Sequence, residues 1–177
     1  MSNKKIFSED LNFGNKGEEL FYNSDIVQKI FPNRKLFKIE DLEEQKTKGD
    51  FKAIDINYEH VEDIFFEIKT REPKCSKWHF KDILIELFHE QDNGDKSPGW
   101  IEKYDKNTYL VYQWTQDKNE EVILIRPVII FKPSDLKEHK EWLDSFPKTP
   151  SKNKTYTTIN ATIPLDKFQE KIKVWII

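Results

Sequence analysis

The sequence predicts one α/β domain over residues 1–177, with a central mixed sheet flanked by helices. Three observations carry that expectation. A chain of 177 residues has the length of one domain and can bury a sizeable core. Apolar positions pass along it from helical spacing to extended runs and back to helical spacing. Apolar residues make up 37% and aromatics 14%, enough bulk to offset the ordering entropy, while 34% charged residues match a soluble, highly charged protein. No internal repeat or low-complexity tract divides the chain.

The first expected element is a helix from Asn15 to Phe31, closed by Pro32, with Leu20, Val27 and Phe31 on one face and Ile26 and Ile30 beside them. A polar, acidic stretch, Glu40 to Lys48, follows. Phe51–Tyr58 and Ile64–Thr70 read as two strands whose short connection suits a hairpin. Trp78–Phe88 is extended or mixed, and Tyr109–Trp114 and Val122–Phe131 are two more strands joined by a turn at Thr115–Asn119. Asp135–Phe146 reads as a short amphipathic helix with Ser134 as N-cap, Phe146–Lys154 as an exposed loop, and Pro164–Ile172 as a last helix.

Several functions are disfavoured at once. With Cys75 as the only cysteine, no intrachain disulfide and no Cys-rich zinc site can form. His60, His79, His89 and His139 lack ligand spacing, and no Gly-rich phosphate loop exists among five glycines, which argues against a zinc site and against ATP use. No apolar run approaches the ~20 residues of a membrane span, and the N-terminus lacks the apolar stretch of a signal peptide, so a cytoplasmic protein is expected. The net charge of −3 neither favours nor disfavours nucleic acid, because a local basic surface suffices to bind it.

The chemistry centres on Ile64–Thr70. Ile64, Phe65, Phe66 and Ile68 suggest a strand covered on both faces, and Glu67 and Lys69, two apart, share one of them. A carboxylate and an ammonium there are expensive unless paired, hydrogen-bonded or metal-bound; a solvated outer face is the plainer alternative. A turn centred near Val61 would set Asp55 opposite Glu67 and Ala53 opposite Lys69, and two carboxylates held that close attract a divalent cation. Asp50, after Gly49 at the strand entry, is the rival for that place, or else an ordinary turn aspartate. On the helix, Glu19 borders the apolar stripe and points toward the core or a cleft, and Glu18 toward water.

Together Gly17-Glu-Glu19, Asp55 or Asp50, and Glu67-Ile-Lys69 resemble the PD-(D/E)XK nuclease superfamily, although no Pro precedes either Asp. More loosely, Phe66–Thr70, Ile83–Phe88, Gly99-Trp100 and Tyr109–Tyr112 look like nuclease-like proteins of phage and bacterial genomes. The resemblance implies a restriction-endonuclease-like fold and Mg²⁺-dependent phosphodiester hydrolysis, with Mn²⁺ able to substitute. Asp55 (or Asp50), Glu67 and the Ile68 carbonyl would hold the metal. Lys69 would orient or deprotonate the attacking water, and Glu19 would hold water or a second cation.

Glu86, a charge within Ile83–Phe88, is a further candidate metal ligand, or else half of a salt bridge at a sheet edge. Arg71, Lys74, Lys77 and Lys81, interleaved with Trp78 and His79, start at the expected site and could track a phosphate backbone; a solvated lysine-rich loop is the competing account. The expected function is therefore endonucleolytic cleavage of DNA, with RNA and a homodimer left open. The alternatives are a nuclease-fold module that binds nucleic acid or a partner protein without cutting, and a resolvase of branched DNA (Holliday junctions).

Overall fold

The computed structural model describes residues 14–58, 60–71, 82–118, 121–153 and 155–177; the side chains at 116–118, 121, 122, 125 and 126 are not described. Two sheets and a set of short helices make up the fold. Helix α1 covers residues 14–22 and α2 Ile26–Ile30. Strand β1 (Arg34–Lys38), helix α3 (Leu42–Lys48), β2 (Phe51–Asp55) and β3 (Ile64–Arg71) follow. Then come β4 (Asp82–Gln91), β5 (Lys96–Pro98), the single turn α4 (Trp100–Lys103), β6 (Thr108–Lys118) and β7 (Glu121–Phe131). A 3₁₀ helix (Pro133–His139), α5 (Lys140–Asp144), β8 (Lys148–Lys152), β9 (Tyr156–Pro164), α6 (Leu165–Lys171) and β10 (Trp175–Ile176) complete the order.

The first sheet runs β1-β2-β3-β6-β7-β10 and the second β5-β4-β9-β8. Among the described residues only β3 and β6 pair in parallel, so the first sheet is mixed. Its two faces are buried against different partners. Ile64, Phe66 and Ile68 join Val111, Val128 and Ile130 in packing under Phe21, Ile26 and Val27 of α1 and α2. Leu110, Tyr112, Ile129 and Phe131 face the other way, into a core shared with Ile83, Ile85, Ala161 and Ile163 of the second sheet and with Trp100, Ile101 and Tyr104 around α4. Cover on both sides makes residues 64–68 of β3 a continuous buried run.

Four expectations are corrected, and one stretch assigned no element from sequence, 40–48, holds a helix. Residues 115–118, expected in a turn, continue strand β6. The helix expected over 15–31 is two helices, because the Ser24 hydroxyl donates to the Phe21 carbonyl at 2.7 Å and accepts from Ile26 N at 3.4 Å, drawing the backbone out of the helical ladder. The stretch 40–48 holds α3, with the Asp41 carboxylate accepting from Glu44 N at 2.8 Å and acids leading and lysines closing the helix, as its dipole favours. Residues 135–146 begin as a 3₁₀ helix with Pro133 in the first turn, and Ser134 caps nothing. The expected loop 146–154 contains β8, an exposed edge strand that holds by backbone pairing to β9 and so tolerates Pro150.

Candidate active site

Alternation along β3 turns Glu67 and Lys69 away from the α1–α2 core and toward the second sheet, beside their β6 neighbours Leu110 and Tyr112. Glu67 is 7% exposed. Lys69 Nζ donates to Glu67 Oε1 at 2.6 Å, and its side chain keeps 37% of its exposure. Burial works to lower the Lys69 pKa, but the charge and hydrogen bond of Glu67, with the charges of Glu86 and Asp50, outweigh it and hold the ammonium above its usual value.

The second carboxylate is Asp50. Phe51 pairs with Phe66 and Ala53 with Ile64, which sets Asp50, one residue ahead of β2, across from Glu67. Asp50 N donates to Phe66 O at 2.8 Å, and Asp50 Oδ2 accepts from Ile68 N at 2.7 Å, so the carboxylate takes the place of the next ladder partner where β2 has ended. The Ile68 carbonyl leaves the same edge of β3 as that N–H. Gly49 makes this approach possible: its φ is 119°, and a Cβ there would lie 2.6 Å from Phe66 O. Burial first, and then the Glu67 charge, push the Asp50 carboxyl up to about 7; Glu18 adds to the push, while the Ile68 hydrogen bond and Lys69 oppose it.

The assignment of Asp55 is thereby corrected. Asp55 lies opposite Arg34 on β1, and its Oδ1 accepts from Asn57 N at 2.9 Å and Tyr58 N at 3.2 Å, a turn aspartate at the hairpin's far end. Ala53 faces Ile64, not Lys69.

The helix carboxylate changes as well. Gly17 lies against Thr70 so closely that a Cβ would meet Thr70 Oγ1 at 2.0 Å, and Gln113 Nε2 ties the two together, donating to Gly17 O at 2.8 Å and to Thr70 Oγ1 at 3.0 Å. With Gly17 and Phe21 facing the sheet, Glu18 comes to the side of Asp50 and pairs with Lys38 at 3.1 Å. Glu19 is exposed, and it is Glu18 whose charge bears on Asp50.

The segment between β3 and β6 supplies groups with no clear signal in the sequence. Trp100 and Ile101 anchor α4 in the inter-sheet core, which brings Lys103 and Tyr104 to Glu67. Tyr104 lies beside the Glu67 carboxylate, and burial first and that neighbour next hold its hydroxyl protonated far above the usual tyrosine value. Lys103 Nζ donates to the Tyr104 hydroxyl at 2.9 Å. Glu86 sits where a bulge shifts the β4–β9 register; its Oε1 meets His89 Nε2 at 3.1 Å, while its charge acts on Lys69, Lys103 and Tyr104. The spacing of Trp100 and Tyr104 announces a helical turn, but only the parallel β3–β6 pairing brings that turn to Glu67.

Arg71, expected to contact phosphate, is held within the fold: its Nη1 donates to Asp82 Oδ1 at 2.8 Å and to the Tyr112 hydroxyl at 3.0 Å. Lys74, Lys77, Trp78, His79 and Lys81 lie outside the described residues.

Among the described residues no group of three His, Cys, Asp or Glu side chains stands as a ready metal cage. The donors that do meet are two carboxylates, Asp50 and Glu67, beside a backbone carbonyl. This is a hard-oxygen set, in which burial first and then the Glu67 charge push Asp50 toward neutrality. It fits a divalent cation that keeps most of its waters. No described helix is long and apolar enough to cross a membrane. Comparison with protein-family models, with curated proteins and with solved structures gives no match.

Proposed function

We propose that this chain is a divalent-cation-dependent nuclease that hydrolyses DNA phosphodiester bonds, on a fold of the PD-(D/E)XK, restriction-endonuclease-like kind. The observation that carries the reading is the meeting of Asp50 with Glu67 at a strand end, one carboxyl raised to about 7 by burial and the other's charge, with Lys69 hydrogen-bonded to Glu67 at 2.6 Å. The helix–hairpin order also fits: α1 brings Glu18 against Asp50, β1-β2-β3 form an antiparallel meander, and β3 then pairs in parallel with β6. In this chain the motif runs Gly17-Glu18, Asp50, Glu67-Ile-Lys69.

Asp50 and Glu67, with the Ile68 carbonyl, would hold Mg²⁺ or Mn²⁺. When bound, the ion supplies positive charge to the phosphate and a water of lowered pKa. Lys69 acts as a donor and not as a base, because its carboxylate neighbours favour the protonated form. Its ammonium orients the water or a phosphate oxygen and offsets charge that grows on the phosphate during attack. Tyr104, likewise held protonated, lies beside Glu67 as a donor and not as a second negative charge. Glu18 adds negative charge behind Asp50 and favours cation binding there.

The test is incubation with linear, circular, single-stranded and branched DNA and with RNA, with and without Mg²⁺ or Mn²⁺, beside Glu67→Ala and Lys69→Ala. The expected result is cation-dependent DNA cleavage lost in both variants. Cleavage that survives both substitutions would overturn the proposal. DNA binding with no cleavage of any substrate would favour the non-cutting module instead.

A further inference from the structure

Lys103 differs from the other charged groups around Glu67. Lys69 is committed to Glu67 at 2.6 Å, Arg71 to Asp82 at 2.8 Å, and Lys38 to Glu18 at 3.1 Å. Among the described residues Lys103 forms no ion pair. Its ammonium rests instead on the neutral Tyr104 hydroxyl at 2.9 Å and over that ring at 4.6 Å from its centroid. Tyr104 in turn neighbours Glu67, whose charge bears on it, so Lys69, Glu67, Tyr104 and Lys103 follow one another with a lysine at each end. The position is built. Gly99, whose Cβ would lie 2.4 Å from the Glu86 carbonyl oxygen, lets α4 start against β4, and buried Trp100 and Ile101 hold the turn while Lys103 reaches solvent. An uncommitted ammonium, aimed by a buried hydroxyl and opening to water beside carboxylates, lacks only an anion.

We propose that Lys103, aimed by Tyr104, is a phosphate-binding residue of this site, holding a non-bridging oxygen of a nucleic-acid phosphodiester beside Glu67. The inference rests on the nuclease reading for its ligand but adds a contact which that reading does not contain. Lysine acts on phosphate as a point charge, so arginine serves in its place and a neutral side chain does not.

The experiment measures binding of a fluorescent DNA duplex in Ca²⁺, where no cleavage is needed, by wild type, Lys103→Met, Lys103→Arg and, as an exposed control lysine, Lys106→Met. Each phosphate near the cut site is replaced in turn by a neutral methylphosphonate. Lys103→Met is expected to weaken binding about tenfold and to reduce the salt slope by about one counterion. Lys103→Arg and Lys106→Met should stay within about twofold of wild type. At one phosphate position the methylphosphonate should cost wild type affinity and cost Lys103→Met nothing further. A general folding defect would weaken every position alike and leave no such signature. Equal losses in wild type and Lys103→Met at all positions, or no DNA binding by wild type, would overturn the inference. Mg²⁺-dependent cleavage by the same samples is scored separately. Cleavage with no coupling at Lys103 removes this contact and leaves the nuclease reading standing. Coupling without cleavage removes the catalytic reading and keeps the contact.

Discussion

Asp50→Asn isolates the electrostatic cost built into the site while leaving its shape in place. Burial and the Glu67 charge raise the Asp50 carboxyl from 3.8 to about 7. Between those values the folded chain keeps a proton that the unfolded chain has lost, so stability falls as pH rises through the window and levels off above it. At about 1.4 kcal/mol per pH unit, keeping Asp50 ionised in the folded state costs on the order of 4 kcal/mol at pH 8. Asparagine carries no charge at any pH, and its Oδ1 can still accept from Ile68 N, a 2.7 Å bond in the wild type. After discounting for relaxation around the pair, Asp50→Asn should be about 2–4 kcal/mol more stable than wild type at pH 8 and nearly equal to it at pH 4. Urea unfolding followed by circular dichroism, at both pH values with chelator present, reads the difference as a shift in midpoint. Adding Mg²⁺ at pH 8 should stabilise wild type and leave Asp50→Asn unmoved. A variant less stable than wild type at pH 8, or one with the same gain at both pH values, would refute the reasoning.

Three further outcomes follow from the geometry. Gly49→Ala should cost roughly 2–4 kcal/mol in urea unfolding, because the residue holds φ 119° and its new Cβ would lie 2.6 Å from Phe66 O. Arg71→Ala should destabilise by about 3 kcal/mol at neutral pH by leaving Asp82, 5% exposed, as an uncompensated buried charge; much of that loss should vanish in Arg71→Ala/Asp82→Asn. Lys69→Met should abolish DNA cleavage while Mg²⁺ still raises the melting temperature, since the donors proposed for the metal are Asp50, Glu67 and a backbone carbonyl; calorimetry in the absence of DNA separates the two effects.

What the sequence made legible is what depends on local alternation. Glu67 and Lys69 share a face of β3 whatever the rest of the fold does, because strand periodicity decides it. The choice between Asp50 and Asp55 depended on register, and register depends on how the hairpin turns. Asp55 caps its own turn through Asn57 N and Tyr58 N, so the strands part early, the connection is long, and the pairing slides until Asp50 stands across from Glu67. The choice between Glu18 and Glu19 depended on helical phase. Ser24 interrupts the helix, so apolar positions beyond it, such as Val27 and Phe31, say nothing about which side of α1 faces the sheet; Gly17 and Phe21 decide it. Lys103 and Tyr104 could not be placed from local pattern, because parallel pairing of β3 and β6 joins segments far apart in sequence.

That pairing also divides the site between two parts of the chain. The chain leaves the first sheet after Arg71 and re-enters it at Thr108. The two acids and Lys69 are held by the β2–β3 hairpin alone, whereas Lys103, Tyr104 and Glu86 reach them only through the packing of α4 and the second sheet. Loosening of the seam between the sheets would therefore part Lys103 and Tyr104 from Glu67 while Asp50 still faces Glu67 across the hairpin.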